Sequence, residues 1–128
     1  MFGSDIIRIK VKGYLRNITD NEIFEFEERG IKNKDKITFN NNDIKYSIKC
    51  NDNEIMMIRD GNDFVNTFIF NNNNNSKSNY LLKENGYDMD MEVNVSNMKS
   101  NDKLIYIEYE IVSTSCKYEF KIEMSEML

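Results

Sequence analysis

The chain has 128 residues, a formal net charge of −5 and no histidine. Its length fits a single domain over residues 1–128, large enough for a hydrophobic core without disulfide staples. The acidic balance argues against a nucleic-acid binder, which needs a basic face to neutralise phosphates. Without histidine, the chain cannot form a Ser-His-Asp or Cys-His triad, and it lacks the commonest general base and metal ligand. We therefore favour a protein that is not an enzyme, with no cofactor and no metal site.

The cysteines and the N-terminal residues indicate the cellular location of the protein. Cys50 and Cys116 are far apart in the sequence, and two thiols without histidine do not make a zinc site. Residues 1–4 run straight into charged, alternating sequence, and no apolar run approaches the length of a membrane span. We therefore expect a cytoplasmic protein with reduced thiols and no membrane attachment. A disulfide between the two cysteines is the alternative.

The first half of the chain alternates apolar and polar residues with a period of two. This period predicts half-buried antiparallel strands rather than helices. Phe24 and Phe26 are expected to face inward in one of these strands. Residues 15–21, 30–34 and 40–43 are rich in polar and turn-forming residues and are predicted connections. The predicted strands span residues 5–14, 22–28, 35–39, 44–50 and 54–59.

The second half continues the pattern with one unusual strand. Residues 63–70 are partly apolar on both faces, so Val65 and Ile69 mark an outer surface that is either covered or adhesive. The asparagine run at 71–75, extended to residue 79, predicts a loop. Later strands are predicted at residues 80–82 and 89–95, and residues 96–103 are a predicted polar connection.

The clearest pattern is a pair of alternating runs over residues 103–124. Residues directly opposite each other in an antiparallel pair lie on the same face of the sheet. The turn between the runs lacks the Gly or Asn of a tight two-residue turn, so we favour a four-residue loop at 112–115. This loop sets Tyr109 opposite Tyr118 and Glu110 opposite Lys117. A tight turn would instead set Glu110 opposite a second glutamate, Glu119, and the two charges would repel.

These elements predict an all-β protein with nine or ten short strands and no helix. Because every connection is short, strands that are neighbours in sequence should pair antiparallel. An open sheet of this length would leave edges exposed to aggregation. We therefore expect a closed up-and-down barrel of about eight to ten strands, in which the first strand pairs with the last.

Three segments, taken in order and spacing, resemble the YwiB-like, calycin-like β-barrel proteins, a family of small uncharacterised bacterial proteins. They are IRDGNDFVNTFIF at residues 58–70, NYLLKENGYDMDMEVNV at 79–95 and KLIYIEYEI at 103–111. The chain departs from the family pattern at residues 84–87, where a Pro-Tyr-Gly-Thr-like turn is usual. The resemblance implies a lipocalin-like closed barrel. It implies no activity, because none is assigned to the family.

Arg59 is the strongest candidate for a functional residue. If Ile55 and Met57 face inward, alternation points Arg59 into one end of the barrel. If Met56 and Ile58 face inward instead, Arg59 lies outside. A buried guanidinium needs a partner and is suited to hold a ligand carboxylate or phosphate in a bidentate fork. The alternative is an arginine that caps the barrel end against carbonyls or an acidic side chain.

Several inward side chains are candidates to line a binding site with it. Tyrosine hydroxyls can serve a ligand in the lumen, and methionine forms an adaptable apolar wall, although both residue types also fill cores. These candidates are Tyr46, Tyr80, Tyr109, Tyr118 and Met57.

Two hypotheses for function remain at this point. In the first, the barrel binds a small apolar or amphipathic ligand in its lumen. In the second, the core is filled, no small ligand binds, and the barrel is a protein-interaction or dimerisation module in which Val65 and Ile69 form the interface. The chain is accordingly expected to be a monomer or a homodimer.

Overall fold

The computed structural model describes residues 6–72 and 75–127. The regular structure in this part of the chain is ten antiparallel strands that form one closed barrel, as predicted. Neighbours in sequence pair along the whole chain, and β1 closes the barrel against β10. The strands are β1 (Ile6–Asn17), β2 (Glu22–Asn33), β3 (Lys36–Asn41), β4 (Ile44–Cys50), β5 (Glu54–Asp60), β6 (Phe64–Asn71), β7 (Lys77–Leu82), β8 (Asp88–Ser100), β9 (Leu104–Ile111) and β10 (Cys116–Glu126).

The inward side chains differ between the two ends of the barrel. At one end the core is built mainly from branched aliphatic side chains, which we call the aliphatic end: Ile37, Ile48, Ile55, Ile105 and Ile122. At the other end the inward residues are aromatic and polar, and we call this the Arg59 end: Tyr46, Arg59, Asn66, Tyr80, Tyr109 and Tyr118. The inward positions of the alternating strands therefore form one continuous core that contains two kinds of side chain.

The C-terminal hairpin has the predicted register. Tyr109 lies opposite Tyr118 and Glu110 opposite Lys117, and residues 112–115 form the loop. Ser115 adopts a φ of 56°, so this four-residue loop reaches the left-handed region without glycine. The predicted pairing of this hairpin is confirmed.

The same register sets Glu108 opposite Glu119 on the outer wall, which the sequence analysis did not anticipate. The Tyr106 hydroxyl lies between the two carboxylates, 2.5 Å from Glu119 Oε2 and 3.2 Å from Glu108 Oε2. The hydrogen bond to Glu119 raises the pKa of Tyr106 well above its usual range. A shared hydroxyl donor thus offsets part of the repulsion between two like charges.

Several predicted connections are wrong where polar residues within strands were taken for loops, and residues 15–17 of β1 and 40–41 of β3 are two short examples. Residues 30–33 continue β2, residues 77–79 begin β7, and residues 96–100 continue β8 through a bulge between Val95 and Asn97. A bulge inserts an extra residue and breaks the alternation on which the prediction rested. Within the asparagine run, residues 73–74 lie outside the described part of the chain.

The β1–β2 hairpin extends beyond the rim of the barrel. β2 pairs with β1 from Glu22 to Asn33, but with β3 over Gly30–Asn33 alone. Gly30 permits the close approach to β3, because a Cβ at this position would lie 2.7 Å from the Thr38 carbonyl oxygen. Phe24 lies on the inward side of this hairpin yet is 61% exposed. The prediction that Phe24 faces the core is therefore wrong, since the strand has left the core at that point.

Candidate functional site

The strand register decides the orientation of Arg59. Ile55 and Met57 are buried, so the inward face of β5 is the one that contains Arg59. Across the sheet, Arg59 lies opposite Tyr46 on β4 and Asn66 on β6. The structure thus selects the first of the two orientations that the sequence left open.

Arg59 has an aromatic partner but no counter-ion among the described residues. Its guanidinium carbon lies 5.6 Å from the centre of the Tyr46 ring, within the range of a cation–π contact. Its Nε atom is buried and has no hydrogen-bond partner. None of the ion pairs within residues 6–72 and 75–127 includes Arg59. The neighbouring carboxylate, Asp60, pairs with Lys83 instead, at 2.7 Å. A positive charge is thus held inside the barrel with one donor unused.

Asn66 is a buried polar residue of this site that the sequence analysis did not single out. Its side-chain amide nitrogen donates to Ser78 Oγ and to the Asn79 carbonyl oxygen, each at 3.0 Å. Both amide hydrogens are thereby used, which holds the side chain in one orientation beside Arg59. The signal was present in the sequence, because Asn66 is the one polar member of the inward series Phe64, Asn66, Phe68 and Phe70.

Tyr109 and Tyr118 form an aromatic pair facing the same lumen. Their ring centres are 5.3 Å apart in a stacked arrangement, and Tyr109 also contacts Phe68 and Phe70. Burial raises the pKa of Tyr109 strongly, while the nearby charge of Arg59 opposes part of that rise. Burial also raises the pKa of Tyr118. Both hydroxyls are therefore neutral at physiological pH and can donate a hydrogen bond to an anion.

Tyr80 and Met57, the remaining site candidates, have different surroundings. Tyr80 lies opposite Asn66, is half-buried and stacks on Phe64 with ring centres 5.4 Å apart. Met57 is 2% exposed and lies opposite Ile48 and Phe68, one inward position from Arg59 along β5. Tyr46 and Tyr80 therefore belong to the row of Arg59, whereas Met57 belongs to the packed core beneath it.

Two apolar side chains near the rim of the Arg59 end are exposed. Phe24 on β2 and Met89 on β8 share the inward side of their strands with core residues, yet they are 61% and 41% exposed. Met89 lies opposite Tyr80, so it continues the row that contains Arg59 toward the rim. The Arg59 end thus combines an inward-facing cation with exposed apolar side chains near its rim.

Val65 and Ile69 lie on the outer wall of β6 and are half-buried. Val65 is opposite Asp60 and Leu81, so neighbouring side chains cover part of it. Their role in an interface stays a prediction.

The two cysteines are free. Cys50 lies opposite Ile55 at the aliphatic end, whereas Cys116 begins β10 near the Arg59 end, so the disulfide alternative is excluded. Burial raises the pKa of Cys50 to about 11, which keeps this thiol protonated and unreactive at neutral pH.

Residues 6–72 and 75–127 contain no cluster of metal-binding side chains and no membrane-spanning helix. No three carboxylate or thiol side chains in this region converge into a group that could hold a metal ion. No helix long and apolar enough to cross a membrane occurs there either.

Comparison with known proteins supports the fold alone. No family model and no curated protein sequence matches the chain. Among solved structures, the crystal structure of the ywiB protein from Bacillus subtilis is similar, with a TM-score of 0.70. The two share 14% sequence identity, and the match covers 98% of this chain and 94% of that one. The chain therefore has a YwiB-like fold, and the comparison carries no information about a ligand.

Proposed function

We propose that this protein is a non-enzymatic barrel that binds a small amphipathic molecule in its lumen, with an acidic head group at Arg59. The observation that carries the proposal is the buried, unpartnered Nε of Arg59, in a site without a counter-ion among the described residues. Arg59 is half-buried, and a cation that is partly taken out of water is costly unless it is paired and hydrogen-bonded. A ligand anion would supply both.

The chemistry of the site favours a carboxylate or phosphate as the head group. The planar guanidinium presents its donors in a fork that matches two oxygens of either group. Tyr109 and Tyr118 have raised pKa values, so they remain neutral donors and add no negative charge to compete with the ligand. The Tyr46 ring is the one aromatic partner of the guanidinium among the described residues, and it is not an acceptor that would neutralise the charge.

Two exposed apolar side chains near the rim explain why the ligand would have an apolar part. Phe24 and Met89 are exposed at the rim, where they would pack against a hydrocarbon tail. An apolar group that covers them would gain about 25 cal/mol for each square ångström removed from water. A small hydrophilic anion would leave these side chains in water.

We also propose that the chain is a distant relative of the YwiB-like proteins, a small bacterial protein with a calycin-like barrel, and that it is located in the cytoplasm. Two observations support this: the similarity to the ywiB crystal structure, and the order of the three segments at 58–70, 79–95 and 103–111.

A calorimetric titration with dodecanoate, dodecyl phosphate and dodecanol, each below its micellar concentration, tests the ligand class. We expect one or both anions to bind and dodecanol to bind far more weakly. Arg59→Met should weaken binding of the anion about 10- to 100-fold, as expected for the loss of a charged hydrogen bond worth about 1.5–3 kcal/mol.

Arg8→Met is the matched control, because Arg8 is an exposed arginine at the opposite end of the barrel. Its affinity for the anion should equal that of the wild type. Equal binding of dodecanol and dodecanoate, or an affinity unchanged by Arg59→Met, would contradict the role of Arg59.

A further inference from the structure

A second feature is the edge of β2 near Phe24 that pairs with no other described strand. Residues 22–29 pair with β1 along one edge, but β3 joins β2 from Gly30 onward. Among the described residues, no other backbone hydrogen bond reaches the free edge of residues 22–29. We call this segment the open edge. A row of unpaired N–H and C=O groups is a template for another strand.

The open edge carries large apolar side chains on both faces. Ile23 is 53% exposed on the outer face, and Phe24 is 61% exposed on the inner face. Where β2 parts from β3, a cleft of about 580 Å³ opens beside Glu27, Glu28 and Arg29. An added strand would cover part of both side chains.

The charge of the open edge is strongly acidic. Glu22, Glu25, Glu27 and Glu28 fall within it, against the single cation Arg29. Lys10 pairs with Glu27 at 2.8 Å and lowers the pKa of that carboxyl. Glu25 has no ion pair within the described part of the chain. The outer face of the edge thus has an acidic position available for a basic side chain.

This charge pattern disfavours a second copy of the chain as the occupant. Two copies of residues 22–29 can pair antiparallel, with matching faces, over seven residues in two registers. One sets Glu25 opposite itself, and the other sets Glu25 opposite Glu27. Like charges directly opposite each other destabilise a strand pair.

We propose that the open edge of β2 accepts, by strand addition, an extended segment of another protein in which basic and apolar residues alternate. The backbone of that segment would pair with residues 22–29, which supplies affinity. Its basic side chains would lie beside Glu25 and Glu27 on the outer face. Its apolar side chains would lie beside Phe24 and Phe26 on the inner face.

The test uses the full chain and two capped heptapeptides of identical composition. In one, four lysines and three valines alternate; in the other, the four lysines come first and the valines follow. We expect the alternating peptide to bind more tightly and to slow amide hydrogen exchange within residues 22–29. Glu25→Lys should weaken this binding about fivefold or more, since it replaces an attractive cross-strand pair with a repulsive one.

Glu92→Lys is the matched control, because Glu92 is an exposed glutamate on β8, away from β2 in the barrel order. Its affinity should match the wild type, and Glu25→Gln, which removes the charge without reversing it, should give an intermediate affinity. Equal binding of both peptides, no binding of either, or protection outside β2 would overturn the proposal. So would a concentration-dependent dimer with protected β2 amides, because a second copy would then be the occupant.

Discussion

The aliphatic end and the Arg59 end are built from the same strands but differ in how well their inward groups are satisfied. At the aliphatic end, Ile48 and Ile55 are fully buried among other apolar side chains. At the other end, Arg59 holds a charge inside the barrel with its Nε unpartnered. The first arrangement is what stability alone would produce. The second retains an energetic cost, and we attribute that cost to binding.

The difference between the two ends also indicates which side chains can be substituted at little cost in stability. Close-packed aliphatic residues lose both transfer free energy and packing when they are shortened. A half-buried arginine without a counter-ion among the described residues contributes little to the free energy of unfolding. An apolar side chain of similar length can therefore replace it at little cost. Substitutions at the two ends should therefore change stability by different amounts and in different directions.

The largest effect is expected at the aliphatic end. Ile48→Ala should lower the free energy of unfolding by about 2–5 kcal/mol, because it opens a cavity in a fully buried position. Chemical denaturation followed by circular dichroism measures this change. A loss below about 1 kcal/mol would mean that this end of the barrel is loosely packed, and the contrast between the ends would fail.

The next largest effect is the loss of stability at alkaline pH that we attribute to Tyr109. Its pKa is raised above the value of about 10 in the unfolded chain, so the folded state binds the proton more tightly. The stabilising contribution is complete below pH 10 and is lost as the pH rises through the folded-state value. Between pH 10 and pH 11 the wild type should therefore lose up to about 1.4 kcal/mol more than Tyr109→Phe. Identical alkaline profiles for the two proteins would show that the hydroxyl is solvated.

A smaller effect is expected for Arg59 in the ligand-free protein. Arg59→Met should leave the free energy of unfolding unchanged or raise it by about 1 kcal/mol, because removal of an uncompensated charge outweighs the lost cation–π contact. Arg16→Met on the outer wall, where Arg16 is partly exposed, serves as the control and should change stability by less than about 0.5 kcal/mol. A loss above about 2 kcal/mol in Arg59→Met would show that Arg59 caps the barrel structurally.

The smallest effect lies on the outer wall, where the two ends should not differ. A double-mutant cycle on Glu110 and Lys117, which lie opposite each other, should give a coupling of about 0.2–1 kcal/mol. High salt should reduce this coupling, because both side chains are partly exposed. A coupling that does not depend on salt would indicate a contact other than charge.

Alternation made most of the barrel predictable. The register of Tyr109 with Tyr118 followed from the shared face of opposed residues, the four-residue loop and the opposite charges of Glu110 and Lys117. The closure of β1 on β10 followed from the short connections and from the need to leave no exposed sheet edge. The extension of β2 through Gly30 was missed, because a glycine among polar residues is also the composition of a turn. The bulge after Val95 was missed because an inserted residue reverses the faces.

The candidate site was predictable in part. The sequence placed Tyr46 on an inward-facing strand position and left two orientations open for Arg59; the structure selects the inward one and brings the two side chains into contact. The sequence could not show that Arg59 has no counter-ion among residues 6–72 and 75–127, because that depends on side chains from strands distant in sequence. Nor did it show that Asn66 directs its amide hydrogens to Ser78 and Asn79, which follows from the pairing of β6 with β7.

Native mass spectrometry of the protein, purified gently from the cells that produce it, shows whether Arg59 holds a ligand anion. We expect an adduct of defined mass that is lost on denaturation, fragments as a carboxylate or phosphate, and is absent from Arg59→Met but present in Arg8→Met. A bare wild-type protein, or an adduct that Arg59→Met retains in full, would contradict binding at Arg59.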